Sequence, residues 1–215
     1  MPEAPRRLVL LRHGRTAWNA ERRAQGHADV ELDDLGHAQA AVAGPWVAAT
    51  YSPSALWSSD LARARQTAAH VEKETGLTAV LDARLREYSV GERTGLTMAE
   101  FAEAWPEEHA AWVDGRRTFV VGAESTAEVT ARIVPALREL LASVAPGETA
   151  VGVTHGAALT TALVALLGWD EPMAGSLRGL DNCAVAVLQE TGPDTPLRLV
   201  AYNATPDFAS SGAVE

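Results

Sequence analysis

Short apolar runs rich in valine and leucine alternate along this chain with longer segments of helical periodicity. A strand that is followed by a helix and then by a parallel strand produces such an alternation, so the pattern predicts an α/β layer fold. We expect a mostly parallel central sheet with helices on both faces. The apolar runs that predict strands span residues 8–11, 55–57, 78–81, 149–153, 184–188 and 197–202.

Segments of helical period separate these runs, and local signals mark several of their ends. Gly44-Pro45 predicts a break or kink in the first helix, and Pro135 predicts a kink in a later one. Gly76 is the residue type that ends a helix as a C-cap. The helices are predicted at residues 35–49, 60–75, 98–113, 125–143 and 157–167.

The stretch 84–124 has no strand signal, and we interpret it as a small helical cap over the carboxyl ends of the strands. No linker or internal repeat divides the 215 residues, so we expect a single domain that covers 1–215. The apolar face of the helix within 159–167 fits either the core or the surface of a homodimer.

The acidic composition narrows the class of partner. The formal net charge of −10 argues against nucleic acid or an anionic membrane, because proteins that bind these polyanions use basic patches to displace counterions. A small basic pocket for an anionic metabolite remains compatible with an acidic chain, since the local field decides such binding.

The single cysteine, Cys183, excludes an intrachain disulfide and a cysteine-based zinc site within this sequence, and it favours a reducing compartment. The amino-terminal residues lack the apolar core of a signal peptide. No apolar run reaches the roughly 18–20 residues that a membrane span needs. We therefore expect a cytoplasmic protein.

Arg12, His13 and Gly14 stand where the first predicted strand ends. Ligands of open α/β sheets bind at the carboxyl ends of strands, and Gly14 would let the backbone approach a ligand closely. Arg12 offers a planar fork of donors that matches phosphate. A neutral His13 can attack phosphorus through one ring nitrogen if a hydrogen-bond acceptor holds the other. Taken in isolation, the triplet also fits a loop histidine beside a surface arginine.

A second histidine-glycine pair, His155-Gly156, follows the fourth predicted strand and opens a helix. Helix N-termini bind anions through backbone N–H groups and the helix dipole, so the two pairs together predict an anion site at one sheet edge. Two histidines would still need a third ligand to hold a metal, and no His-Glu-x-x-His pair occurs. We expect neither a metal nor a cofactor.

The helix after the second predicted strand begins with Ser59 and Asp60, which we interpret as an N-cap and a first-turn acid. Arg63 then falls in the first turn, near the same sheet edge, although a lone arginine at this place is also typical of a surface. Arg65 lies two residues further along, so it should face solvent or a salt bridge.

Glu87 follows the third predicted strand and precedes the turn between Gly91 and Gly95. A carboxyl group beside a cationic pocket can donate a proton to a leaving alkoxide, or it can balance the charge of the arginines. The residues alone leave both roles open, together with a plain salt bridge.

These segments, taken in order, resemble the histidine phosphatase superfamily, the phosphoglycerate-mutase-like proteins. The resemblance extends over most of the chain and is carried by residues 11–19, 25–40, 58–68, 85–97, 122–125 and 153–156. Within the superfamily, the whole-chain pattern and the tail 199–204 are similar to glucosyl-3-phosphoglycerate phosphatases. Broad-specificity acid phosphatases and α-ribazole phosphatases look similar as well.

The resemblance implies a metal-independent phosphatase that hydrolyses small phosphate monoesters, such as a phosphorylated sugar or glycerate, through a phosphohistidine at His13. It implies that Glu87 donates a proton to the leaving group and later accepts one from water. The residues that it implies for phosphate binding are Arg12, Asn19, Gln25, Gly26, Arg63, His155 and Gly156.

The acid-bearing stretch departs from the family, because Arg93-Thr94 stand where the family often has an aromatic residue and an acid just before Gly95. This departure concerns substrate preference rather than the core chemistry.

Two alternative functions remain. Arg116-Arg117 resemble an arginine pair that grips substrate in cofactor-dependent phosphoglycerate mutases, but the surrounding segment 113–121 is short. Gln25 stands where mutases tend to carry a small hydroxyl residue, which favours hydrolysis. The third alternative, a non-catalytic module that binds a phosphorylated ligand, would be expected to lose the nucleophile or an arginine, and this chain keeps all of them.

Overall fold

The computed structural model describes residues 4–114, 120–192 and 195–206. These residues form six strands, named β1 to β6, and seven α-helices, named α1 to α7. The strands are Arg7–Arg12, Ala55–Ser58, Val80–Leu81, Thr149–Thr154, Val185–Gln189 and Arg198–Ala204. The helices are Ala17–Ala20, Asp34–Tyr51, Ala62–Thr75, Met98–Ala104, Pro106–Val113, Thr126–Ala142 and Gly156–Leu166. Three 3₁₀ turns are Ala83–Leu85, Gly91–Arg93 and Glu171–Ser176.

The strands form one mixed sheet in the order β3-β2-β4-β1-β5-β6. The first four in this order are parallel to their neighbours, whereas β5 is antiparallel to both β1 and β6. The described residues between the consecutive strands β5 and β6 contain no helix, and a parallel return would need a crossover of about a dozen residues or more. The predicted α/β fold with a mostly parallel sheet is confirmed.

Helices cover both faces of the sheet. Along β1, Leu8 and Leu10 pack in a core with residues of α6 and α7, while Val9 and Leu11 pack in a second core with residues of α2 and α3. All four side chains are fully buried. A central strand that is buried on both sides reads as an uninterrupted apolar run, as this one does.

Of the break or kink predicted at Gly44-Pro45, the break is wrong, because α2 continues through both residues to Tyr51. The kink stays a prediction. Gly44 serves packing instead. A Cβ atom there would lie 2.5 Å from the backbone oxygen of His70 in α3, so the glycine lets the two helices approach closely.

The single helix predicted at 98–113 is also wrong. Trp105 leaves the helical conformation (φ −138°, ψ 71°) and separates α4 from α5. It precedes Pro106, whose ring disfavours the helical region for the residue before it. By contrast, α6 runs through Pro135 as one helix, and Gly76 ends α3 in the left-handed conformation (φ 73°), as predicted.

The described residues of the segment 84–124 contain no strand, apart from an isolated bridge between Val90 and Ala123. The segment includes α4, α5 and the turn Gly91–Arg93. That it acts as a cap stays a prediction. None of the helices in the described part of the chain is both long and apolar enough to cross a membrane.

Candidate active site

A cavity of about 560 Å³ lies where β1, β2 and β4 end, between these strand ends and the segment 84–124. Eight of the nine predicted site residues line it, which the topology explains because the carboxyl ends of parallel strands meet at one edge. These eight are Arg12, His13, Asn19, Gln25, Gly26, Arg63, Glu87 and Gly156. The ninth, His155, lies behind the cavity wall and is fully buried.

His13 follows β1 directly, and its backbone N–H extends the ladder by donating to Thr154 O at 3.0 Å. The ring atom Nδ1 lies 2.7 Å from the carbonyl oxygen of Gly14. A carbonyl can only accept, so Nδ1 carries the proton and Nε2 keeps its lone pair. Burial lowers the pKa of His13 well below its usual value, and the nearby cations of Arg63 and Arg12 lower it further. The imidazole is therefore neutral.

Arg12 and Arg63 bring two guanidinium groups beside this imidazole. Arg63 is fully buried and donates through Nη1 to Ala28 O and through Nη2 to Gly26 O, each at 2.8 Å. Burial lowers its pKa to about 10, so it is still a cation at neutral pH. Arg12 donates through Nη1 to Leu180 O, and its buried Nε has no hydrogen-bond partner among the described residues.

Both ring nitrogens of His155 are occupied. Arg63 Nε donates to Nδ1 at 3.1 Å, so the proton sits on Nε2, which donates to Ser59 Oγ at 2.8 Å. Burial, followed by the charge of Arg63, lowers the pKa of His155 well below its usual value. In this arrangement His155 holds Arg63 in place. The centroid of the His155 ring lies 5.1 Å from that of the His13 ring.

Ser59 and Asp60 do not cap α3, which corrects the prediction for its first turn. The helix begins at Ala62, after Leu61 in the N-cap position and without a side-chain cap. Ser59 supports His155 instead, and Asp60 accepts from Arg86 Nε at 2.7 Å. Arg65 is exposed, and its Nη2 lies 4.0 Å from an oxygen of Asp29, in agreement with the predicted outward direction.

Gly14 serves packing within the protein, and the predicted approach of its backbone to a ligand stays a prediction. A Cβ atom at Gly14 would lie 2.6 Å from Gly36 O, and one at Gly36 would lie 1.9 Å from Arg15 O. The loop after β1 thus lies directly on the first turn of α2. Thr67 Oγ1 also accepts the N–H of Gly14 at 3.0 Å, which ties the loop to α3.

The side chain of Glu87 lies against the N-terminus of α7. Its carboxylate accepts from the backbone N–H of Ala157 at 3.0 Å and of Ala158 at 2.8 Å, and also from that of Tyr88 at 3.0 Å. The N-terminus of α7 thus holds the protein's own carboxylate, where the helix dipole favours negative charge, and the predicted site for a ligand anion at this sheet edge stays a prediction. Through this contact, α7 positions Glu87 on one wall of the cavity.

Arg132 holds the backbone of the segment that carries Glu87, a role that the sequence did not reveal. It donates to the carbonyl oxygens of Arg84, Arg86 and Glu87 at 2.7–2.8 Å, and it forms a two-pronged ion pair with Glu124. Glu124 belongs to the family-like stretch 122–125, but Arg132 lies in the middle of α6 without a motif of its own.

His27, which has no motif of its own, is half-buried beside this network. Its Nε2 donates to Glu87 O at 2.8 Å and lies 3.6 Å from a carboxylate oxygen of Glu124. Its place two residues after Gln25, inside the family-like segment, was a signal for a site role.

The remaining predicted residues, Asn19, Gln25 and Gly26, line the same cavity as His13. Asn19 caps α1 together with Thr16, and Asn182, which sequence analysis missed, donates through Nδ2 to His13 O at 3.0 Å. Gln25 is 9% exposed, and its Oε1 has no hydrogen-bond partner among the described residues. Gly26 adopts a left-handed conformation (φ 51°) that directs its carbonyl oxygen to Arg63.

Two further arginines, Arg23 and Arg93, line the cavity. Arg23 is paired with Glu21 and Glu100. The pair Arg116-Arg117, which motivated the mutase alternative, lies outside the described residues.

Comparisons with known proteins agree with this geometry. The profile of the histidine phosphatase superfamily (branch 1) matches residues 8–204. A glucosyl-3-phosphoglycerate phosphatase of Mycobacterium tuberculosis is 40% identical over 182 residues, which cover 80% of this chain and 81% of the relative. A probable phosphoglycerate mutase of Cronobacter sakazakii is 34% identical over 212 residues, or 97% of this chain and 90% of the relative.

A solved structure shows the same relationship in three dimensions. A mycobacterial glucosyl-3-phosphoglycerate phosphatase in complex with VO3 matches with a TM-score of 0.83 at 37% identity, covering 93% of this chain and 100% of that chain. The chain therefore belongs to the histidine phosphatase superfamily and is a phosphoric monoester hydrolase.

Proposed function

We propose that this enzyme hydrolyses small phosphate monoesters without a metal ion, through a phosphohistidine on His13. One observation carries the proposal. His13 is a neutral imidazole whose Nδ1–H is held by Gly14 O, whose Nε2 lone pair remains available, and which shares a cavity with Arg12 and Arg63. A neutral, oriented imidazole between two cations is the arrangement that attack on a phosphate dianion requires.

In the proposed first step, Arg12 and Arg63 bind the nonbridging oxygens of the phosphoryl group. Arg63 uses one of the two N–H groups of each Nη in its contacts with Ala28 and Gly26, which leaves one on each nitrogen for the substrate. Phosphoryl transfer depends mostly on positioning and on stabilisation of the equatorial oxygens, which fixed guanidinium groups supply. Asn19, Gln25 and Gly156 complete the cavity around this group.

His13 Nε2 then forms a bond to phosphorus as the bond from phosphorus to the ester oxygen breaks. In the proposed step, the carboxylate of Glu87 takes up a proton when the anionic ester binds beside it, because a nearby like charge favours its neutral form, and it passes this proton to the leaving oxygen. The phosphorylated imidazole becomes cationic, and Gly14 O stabilises it through Nδ1–H. In the second half, water attacks phosphorus while Glu87 accepts its proton, and inorganic phosphate and neutral His13 are regenerated.

The donor set supports metal independence. In the part of the chain that the structure describes, no group of three or more His, Cys, Asp or Glu side chains is placed to hold a metal ion. The charge that a metal would supply to a phosphoryl group is present here as the guanidinium groups of Arg12 and Arg63.

We further propose that the substrate is a phosphorylated sugar or glycerate such as glucosyl-3-phosphoglycerate. The relative of 40% identity and the solved structure are both named as glucosyl-3-phosphoglycerate phosphatases. A cavity of about 560 Å³ is in the range that encloses a whole small ligand. The mutase alternative predicts a different product, because the phosphoryl group would return to substrate instead of water.

Trapping the intermediate tests the mechanism. Rapid denaturation at alkaline pH during turnover should leave one phosphoryl group on the peptide that carries His13. Chelators should leave the rate unchanged, and vanadate should inhibit. A phosphoryl group on another residue would refute the mechanism. So would a loss of activity in the presence of a chelator if added metal restores that activity.

The substrate proposal is tested separately with a panel of phosphorylated sugars, glycerates and nucleotides, with release of inorganic phosphate as the readout. Interconversion of 2- and 3-phosphoglycerate with a bisphosphoglycerate primer, in place of phosphate release, would instead establish a mutase.

A further inference from the structure

The cations that line the cavity belong to two separate parts of the fold. Arg12 and Arg63 are anchored near the sheet edge, by Leu180 O and by the carbonyls of Gly26 and Ala28. Arg93 belongs to the turn Gly91–Arg93 in the segment 84–124. The cavity is therefore bordered by positive charge both at its sheet end and at the wall that this segment forms.

Arg93 is held by packing. Its guanidinium carbon lies 5.0 Å from the ring centroid of Phe101, over the ring, and Phe101 itself is fully buried. Contact with an aromatic face orients an arginine and preserves its charge. Burial lowers the pKa of Arg93, yet a guanidinium remains a cation at neutral pH.

Apolar side chains lie in the same wall. Val90, Val120 and Ala123 line the cavity together with Arg93, and the wall continues with polar residues that include Ser89 and Glu124. An anionic group cannot be bound against such a wall without a compensating cation, because it would lose its hydration. The sequence also departs from the family at this point, with Arg93-Thr94 in place of the frequent aromatic residue and acid.

We propose that Arg93 determines specificity by binding a carboxylate on the leaving group of the substrate, while Arg12 and Arg63 bind its phosphoryl group. This inference rests on the proposed phosphatase function and names the residue that selects, among its proposed substrates, the esters whose leaving group carries a carboxylate. A carboxylate fits because its two oxygens match the planar fork of a guanidinium group.

A matched pair of substrates tests the inference. 3-Phosphoglycerate and glycerol 3-phosphate differ in a carboxylate against a hydroxymethyl group and share the phosphate ester. The wild-type enzyme should favour 3-phosphoglycerate in kcat/KM by about 10- to 100-fold, the range of one hydrogen-bonded charged contact. The difference should appear mainly in KM, because the carboxylate is distant from the bond that breaks.

Arg93→Met should lower that ratio by about tenfold or more, since methionine fills similar space over Phe101 without charge. Arg93→Lys should retain part of the preference, as it keeps the charge and loses the fork. Arg22→Met is the matched control, because Arg22 is exposed, lies outside the cavity lining and has the same charge. The control should leave the ratio unchanged.

An unchanged ratio in both Arg93 variants, or an equal loss on both substrates, would overturn the inference. If Arg93→Met does not fold, Arg93→Lys carries the test through its KM for each substrate. The proposed function fails in a different experiment, in which no phosphohistidine forms on His13. The two failures are therefore distinguishable.

Discussion

The two sides of the cavity are built in different ways. On the nucleophile side, His13, Arg63 and His155 are at most 3% exposed, and the first and last directly follow strands of the central sheet. On the acid side, Glu87 lies in an irregular stretch, and none of residues 86–100 is fully buried. Its carboxylate is held by α7 and its backbone by Arg132, both distant in sequence.

This difference separates two chemical tasks. In the proposed mechanism, the nucleophile side binds the phosphoryl group, which every phosphate monoester contains. The acid side protonates the leaving group, which varies between substrates. Variants on the first side should therefore affect all esters equally, whereas variants on the second should matter in proportion to how much the leaving oxygen needs a proton.

The largest effect should follow removal of the nucleophile. His13→Ala should lower kcat by at least about 10⁴-fold on aryl and alkyl phosphates alike, because no phosphohistidine can form. The measurement is phosphate release, with the thermal midpoint as the check on folding. His37→Ala, an exposed histidine in α2, is the control. Near-normal activity of His13→Ala would remove the basis of the comparison.

Loss of one phosphoryl-binding cation should come next. Arg63→Met should lower kcat by about 10²–10³-fold on both classes of ester, the usual cost of losing a preorganised charge contact. Arg65→Met lies two residues along α3 with its side chain in solvent, so it should retain activity. A loss restricted to alkyl esters would place Arg63 on the acid side and contradict the division.

Glu87→Gln should separate the two ester classes. On an alkyl phosphate we expect a loss of about 10²-fold, since an alkoxide leaves poorly without a proton. On p-nitrophenyl phosphate, whose phenolate leaves unaided, the pre-steady-state burst of phenolate, which reports the first step alone, should fall much less. Steady-state turnover also includes the second step, in which Glu87 accepts the proton of water for both esters. Equal losses of the first step on both esters would mean that Glu87 acts on the phosphoryl group instead.

Substitution of Arg132 should affect the two ester classes with the same selectivity, but with a smaller loss of rate. Arg132→Met should reduce alkyl phosphate hydrolysis roughly 10-fold through misplacement of Glu87, with a smaller change on the aryl ester. Arg138→Met, exposed on the same helix, is the control. A plain loss of fold would lower both rates together and would appear in the thermal midpoint.

The smallest effect should come from pH. An ordinary histidine nucleophile would cost kcat/KM about tenfold at pH 5.5, because it is protonated below a pKa of about 6.5. Since burial lowers the pKa of His13, its neutral form persists there, and we expect less than a twofold loss from this group. A tenfold fall that parallels protonation of one group would contradict the neutral imidazole.

The two buried histidines, His13 and His155, should also make the free energy of unfolding depend on pH. Below about pH 6.5 the unfolded chain takes up protons on His13 and His155 while the folded chain does not. The free energy of unfolding should thus fall with decreasing pH, by up to about 1.4 kcal/mol per pH unit and histidine, until each folded-state pKa is reached. Denaturant titrations of wild type and His13→Ala should differ in this slope.

The predictability of the site follows the same division. The nucleophile side was accessible from sequence because its residues directly follow apolar runs, and parallel strands bring their carboxyl ends together. The role of Arg132 could not be predicted from sequence. Its contact with Glu87 O joins residues 45 positions apart, and no local pattern encodes such a contact. The support of His155 by Ser59 was missed for the same reason, as Ser59 looked like a helix cap.

In the fold, the alternation of strands and helices predicted the layers and most of the element positions. The break at Trp105 had a local cause in Pro106 that the periodicity concealed. The continuity of α2 through Pro45 has no local signal, and the same stretch packs closely on α3 at Gly44, a contact between residues distant in sequence.

The contact between Gly14 and Gly36 extends the functional region beyond the substrate cavity. Gly36 does not line the cavity, yet a single methyl group there would collide with the backbone of Arg15, two residues from the nucleophile. A random mutagenesis survey should therefore recover inactivating substitutions at a helix that never meets the ester. Engineers who wish to alter selectivity should vary the Arg93 wall and leave this glycine pair untouched.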